Sequence, residues 1–286
     1  AQVQVVLGRL DLAEKNCQSA LRLDVKNKAP RVILAQIALR RGNYDMASIF
    51  LESVGGTKTN DSGVLNMLAL IELNRGNNSA AMALFRNAVK QNGNDIAARM
   101  NLGVLLVKYR MLNQAAIEFE RILKLAPQNS DAKIHLAIIK LARGEKDDAE
   151  SILRDVLDNN RDNPLALYNL AVVQKSNEEF DAALNSIREY VKTAKGKTVD
   201  DQQVFALIDD IKKSQVEKGQ AVSDEDIQQL AGAARDRVAN SSKVSAAQRK
   251  RQSASSDETK RNGQKRKMSR PSAEDESNAV VNQLTH

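Results

Sequence analysis

Few side chains in this sequence could carry chemistry. It has two histidines, His135 and His286, and one cysteine, Cys17. A metal site needs three or four convergent His, Cys or carboxylate ligands. His135 instead sits alone between Ile134 and Leu136 and reads as a surface or groove residue. Cys17 falls where a helix would bury it, which favours a small hydrophobe over a reactive thiol. No Gly-rich phosphate loop or nucleophile elbow occurs, and the Asp and Glu residues are scattered over helix faces. The reading is therefore no enzyme, no metal and no cofactor.

Charge is the second resource, and it is concentrated in one place. The chain carries a net +7. Residues 241–273 hold ten Lys/Arg against Asp257 and Glu258, and residues 1–240 are close to neutral. Arg249, Lys250 and Arg251 form one cluster, and Lys265, Arg266 and Lys267 another. Three readings fit: a solvated tail, a patch that binds nucleic acid or an anionic membrane by charge alone, or a nuclear-targeting signal. Aromatics for stacking on bases are missing, which argues against sequence-specific nucleic-acid recognition.

The elements that would position these groups are helices. Apolar residues make up 42% of the chain but aromatics only 3%, with no Trp and 4 prolines, so Ala and Leu carry the packing. Strand-forming runs are missing, so the fold class is all-α. One cysteine allows no internal disulfide and leaves the redox compartment open. No run of 18 apolar residues could span a membrane. No signal peptide is visible, and the chain starts at Ala1 without Met.

The helices repeat. Leu34-Ala35, Leu68-Ala69, Leu102-Gly103, Leu136-Ala137 and Leu170-Ala171 are spaced by 34 residues, as are Ala13, Ala47, Ala81, Ala115, Ala149 and Ala183. Gly8, Gly42, Gly76 and Gly144 form a third series, with Arg110 where Gly is missing. The small residues let two helices approach closely, and the Gly marks a left-handed exit from the first helix. This pattern over residues 1–197 resembles the tetratricopeptide repeat family. The family's aromatic on the first helix is replaced by Ala38, Glu72, Leu106, Lys140 and Gln174. The bulky slot of the second helix holds Cys17, Leu51, Phe85, Phe119, Leu153 and Ile187.

The resemblance implies a right-handed superhelical solenoid of helical hairpins. Five repeats start near residues 28, 62, 96, 130 and 164 after an incomplete first one, so the array is expected to be cut at its start. A capping helix is expected at 198–218, with Val204, Leu207, Ile208 and Ile211 on one face. An amphipathic helix lies within 219–240, where Ser223 and Asp226 look like a capping box and Ile227, Leu230, Ala231, Ala234 and Val238 recur at helical spacing. The basic, Ser-rich stretch 241–286 buries too little to order itself.

The resemblance also names a concave groove along the first helices. It assigns Val32, Gln36, Leu39 and Arg40 in the second repeat, then Asn66, Leu70, Leu73 and Asn74 in the third. The fourth gives Met100, Val104, Val107 and Lys108, the fifth Ile134, Ile138 and Leu141, and the sixth Tyr168, Val172 and Lys175. Some of these are expected to pack on neighbouring helices instead. Family members that clamp a terminal carboxylate use Lys and Asn here. Asn101 and Asn169 match the asparagine, but Met100, Val104, Ile134 and Ile138 stand where polar partners belong. An apolar or amphipathic segment is the expected ligand. It could come from a protein partner, from a second copy in a homo-oligomer, or from this chain's own C-terminal part: the 223–239 helix, or Ala279, Val280, Val281 and Leu284. The leading function is a protein–protein interaction scaffold. The Ala-rich, Gly-Asn-turn style suggests a bacterial cell-envelope assembly of the motility or pilus type. The alternatives are a polyanion-associated factor acting through the tail and a non-catalytic subunit beside a catalytic domain.

Overall fold

The computed structural model describes residues 1–193 and 201–219, with single positions at 228, 230 and 232. Among these, every regular element is a helix. Contacts divide the chain into two compact units, Ala1–Glu179 and the residues from Phe180 onward.

In the first unit, α1 (Gln2–Val6) and α2 (Leu10–Leu23) come first, then α3 (Lys28–Arg40) and α4 (Tyr44–Glu52). They are followed by α5 (Ser62–Asn74) and α6 (Asn78–Gln91), α7 (Ile96–Lys108) and α8 (Leu112–Leu125), and α9 (Ser130–Ala142) and α10 (Lys146–Asn159), with α11 (Pro164–Ser176) last. Each helix packs on the next in sequence. Consecutive first helices also meet, α3 with α5, α5 with α7, α7 with α9 and α9 with α11, whereas no two second helices pack face to face. First helices therefore converge on one side of the unit and second helices spread apart on the other.

The small-residue series does what its spacing implies. Ala13, Ala47, Ala81, Ala115 and Ala149 have no exposed surface, and Ala35, Ala69 and Ala137 are equally enclosed. In the fourth repeat the small slot is Gly103, and the ring of Phe119 lies against it. A Cβ added there would sit 2.7 Å from Phe119 Cζ, so only glycine admits this ring where it stands. Phe119 and its counterparts Leu51, Phe85 and Leu153 are buried without exception.

Turns within hairpins share one geometry. Gly42, Gly76 and Gly144 have φ of 72°, 80° and 82°, and Arg110 and Glu178 take the same left-handed conformation at 58° and 64°. The closing hydrogen bond survives the change of residue: Met111 N donates to Leu106 O at 2.9 Å, as Glu145 N does to Lys140 O. The first helices show a further series of period 34. Asn27, Asp61, Asp95, Asn129 and Asn163 each cap one, accepting from the backbone N–H of Ala29, Val64, Ala98, Ala132 and Ala166. Such caps satisfy donors that a helix start leaves unpaired.

The second repeat departs from the others. Helix α4 ends after 9 residues, where α6, α8 and α10 run for 14. Gly55 (φ 130°) and Gly56 (φ 52°) divert the chain into a 3-10 turn at Gly56–Lys58. Val54 still fills the core position that Ala88, Ile122 and Val156 fill from within a helix.

In the second unit, α12 (Phe180–Thr193) and α13 (Asp201–Glu217) touch each other. Phe180, Ala183, Ile187 and Tyr190 are buried on α12, and Val204, Leu207, Ile208 and Ile211 on α13. Gln215 Nε2 donates to Asp181 Oδ1 at 3.3 Å.

Candidate peptide-binding groove

The side of the first unit where first helices converge carries the residues assigned to a groove. Their spacing explains why they share a face: Met100, Val104 and Lys108 follow at intervals of four on α7, as Ile134 and Ile138 do on α9. Val104 is 41% exposed, a high value for a valine inside a helix. Leu70, Leu73, Met100 and Val107 are half-buried against the core below them, and Val32 and Leu39 lie similarly over the second repeat. Ile138 and Leu141 do so in the fifth, and Tyr168 and Val172 are half-buried on α11. A ligand on this face would meet the upper edges of side chains whose lower edges are already fixed by packing.

One assignment is corrected. Ile134 is only 3% exposed and belongs to the core with Ala137, Leu153, Ala166 and Leu170. Helix α11 lies against both α9 and α10, so the apolar side chains of α11 cover Ile134. The apolar stripe of the fifth repeat therefore rests on Ile138 and Leu141.

Two asparagines of the face bond to each other. Asn101 Nδ2 donates to Asn66 Oδ1 at 2.9 Å, bridging α7 to α5. Asn169 donates to Leu165 O of its own helix. Both asparagines compared with a carboxylate clamp are thus engaged. Gln36 is half-buried, and Asn74 and Arg40 are exposed. Arg40 Nη1 donates to Val5 O at 2.7 Å.

His135 is half-buried. Its ring stacks on Phe119, centroids 4.9 Å apart and planes 10° from parallel. Phe119 is thereby held between Gly103 and the imidazole. Burial pushes the His135 pKa below its ordinary 6.5, with the Asp131 carboxylate pulling the other way. Sequence spacing could not reveal this pairing, because His135 and Phe119 lie on different helices and approach only when repeats stack. Cys17 is buried and its thiol pushed up, chiefly by that burial, which suits packing and not nucleophilic chemistry. Among the described residues, no group of three His, Cys, Asp or Glu side chains is placed to hold a metal, and no helix is long and apolar enough to cross a membrane. The basic clusters Arg249, Lys250, Arg251 and Lys265, Arg266, Lys267, and the segment 279–284, lie outside the described residues. Of the 223–239 segment, positions 228 and 230 are helical and Leu230 is buried.

Sequence profiles of the tetratricopeptide repeat family match residues 66–131 and 111–167. Residues 66–167 thus carry tetratricopeptide repeats. Its fold is that of solved repeat structures. A tetratricopeptide repeat protein from Parabacteroides merdae superposes with a TM-score of 0.59 at 19% identity, covering 82% of this chain and 95% of that one. The Cut9–Hcn1 hetero-tetramer of the APC/C gives 0.61 at 13% identity, covering 74% of this chain and 40% of that one. YrrB, described as a tetratricopeptide protein with an unusual peptide-binding site, gives 0.50 at 16% identity, covering 62% of this chain and 91% of that one. No curated protein matches the chain by sequence.

Proposed function

We propose that this tetratricopeptide array is an interaction scaffold whose first-helix face holds an apolar or amphipathic segment of a protein partner. One observation carries the reading. Apolar side chains recur along that face from Leu70 and Leu73 through Val104 and Val107 to Ile138 and Leu141, and the middle of the row, Val104, is the most open. An amphipathic helix laid in a groove presents its own apolar residues at matching intervals. Exposed apolar rows of this kind mark interaction sites on soluble folds. The asparagine bridge between Asn66 and Asn101 is already satisfied, which favours an apolar ligand over a free carboxylate.

We place the scaffold in a bacterial multiprotein assembly of the cell envelope, on the style of its turns. Fractionation of cells expressing the tagged chain tests that placement, and a purely cytoplasmic distribution overturns it. Association with polyanions through residues 249–267 is the alternative, and it rests on sequence charge.

The groove is tested by pull-down with the intact chain and with Val104→Glu and Ile138→Glu. Both positions are partly open, so the variants should keep the helical circular dichroism of the parent. Loss of the captured proteins is expected. Capture of the same proteins by both folded variants removes the groove from the mechanism.

A further inference from the structure

The two sets of helices differ in charge. The first helices α3, α5, α7, α9 and α11 together carry eight Lys/Arg and two carboxylates, Glu72 and Asp131. The second helices α4, α6, α8 and α10 carry six Lys/Arg and nine carboxylates. Three of these eight basic groups on first helices are already paired with carboxylates. Arg99 pairs with Glu118, Lys133 with Asp155, and Lys140 with Glu145 and Asp148, so the outer helices supply most of the neutralising charge. Glu72 is held by Arg75 and Asn77.

Two cations of the groove have no such partner. Lys108 is exposed at the end of α7, one turn beyond Val104, and meets no carboxylate or other polar partner among the described residues. Arg40, at the matching place on α3, donates only to the carbonyl of Val5, which leaves its charge uncompensated. Lys108 extends from the same face as the open apolar row, and no free carboxylate accompanies it on α3, α5 or α7.

Resting on the groove reading above, we infer that the partner is an acidic amphipathic helix from another polypeptide. Its apolar side lies on Leu70, Val104 and Ile138, and its carboxylates meet Lys108 and Arg40. The apolar contact supplies affinity, and the cations set polarity and direction, since a basic helix would place like charges together.

The test uses fluorescence anisotropy with the full chain and two synthetic amphipathic peptides of about sixteen residues, long enough to cover the row. They share one apolar face and differ only in carrying Glu or Lys along its edge. The Glu peptide is expected to bind roughly threefold or more tighter at low salt, as exposed charge pairs allow. The preference should shrink in about 0.5 M salt. Lys108→Glu combined with Arg40→Glu should reverse it. Equal binding of the two peptides, or no change in the double variant, overturns the charge assignment while leaving the groove in place. Val104→Glu separates the two ideas: if it weakens neither peptide, the groove reading itself fails. A chain ending at residue 271 lacks the acidic, apolar stretch Glu274–Leu284. If that variant binds the Glu peptide about tenfold tighter, the natural occupant is the protein's own end and the external partner is overturned.

Discussion

The second and fourth repeats share one register and solve it differently. In the fourth, α8 runs its full length, and the ring of Phe119 is clasped between Gly103 and His135. In the second, Leu51 and Ala35 share one core, α4 stops early, and the Gly55–Gly56 turn brings Val54 back into that core. The difference teaches that the 34-residue spacing prescribes which positions are buried. How the backbone reaches them is a local matter. Phe119, stacked on His135, stands where only glycine fits, whereas Phe85 is buried in the same register with Ala69 in the small slot, and the second repeat uses Leu51, Ala35 and a shorter helix.

The strongest way to break the comparison is Gly103→Ala. Alanine is favoured over glycine in a helix by about 1 kcal/mol, yet here its Cβ would overlap Phe119. Overpacking should win, with a net loss of about 2 kcal/mol in urea unfolding followed by circular dichroism. Adding Phe119→Leu imports the Ala–Leu pairing of the second repeat and should recover part of that loss. If Gly103→Ala alone stabilises the chain, the clasp is not tight.

The second repeat is probed by Gly55→Ala. A φ of 130° is nearly closed to residues with a Cβ. A loss of about 1–2 kcal/mol is expected from backbone strain. An unchanged unfolding midpoint would mean that the turn relaxes freely.

A smaller effect should come from Arg110→Gly, which gives the fourth repeat the turn residue that the second has at Gly42. Relief of left-handed strain should stabilise by about 0.5–1 kcal/mol, net of glycine's greater unfolded freedom.

The last test is one of pH. His135 is held below its ordinary 6.5, so the unfolded chain binds its proton more readily than the folded one. Stability from this site is therefore full above about pH 6.5 and falls as pH drops further. His135→Phe keeps a ring over Phe119 without a proton to gain. It should flatten the fall in unfolding midpoint between neutral and mildly acidic pH relative to the parent. An identical fall in both proteins assigns the pH dependence elsewhere.

Much of the fold was legible because a period of 34 is written redundantly, in the Leu–Ala pairs, the second-helix Ala and the turn Gly. The series Asn27, Asp61, Asp95, Asn129 and Asn163 keeps the same period, but Asp and Asn look like ordinary turn residues until their capping bonds are seen. The groove is legible only in outline. Ile134 and Ile138 share one helical stripe, and no pattern within α9 says that α11 will cover the first and leave the second partly open.

Sequence by itself determined the helices, their turns, the buried small-residue register and the apolar character of the inner face. Each of these follows from a residue's own size, backbone freedom or hydropathy at a fixed period. Tertiary structure decided what depends on approach between repeats, namely the His135–Phe119 stack, the Asn66–Asn101 bridge and the burial of Ile134, and, within single hairpins, the pairing of Arg99, Lys133 and Lys140 that leaves Lys108 uncompensated. Those contacts join different helices, and their partners are chosen by how closely the helices of a hairpin, and neighbouring repeats, pack.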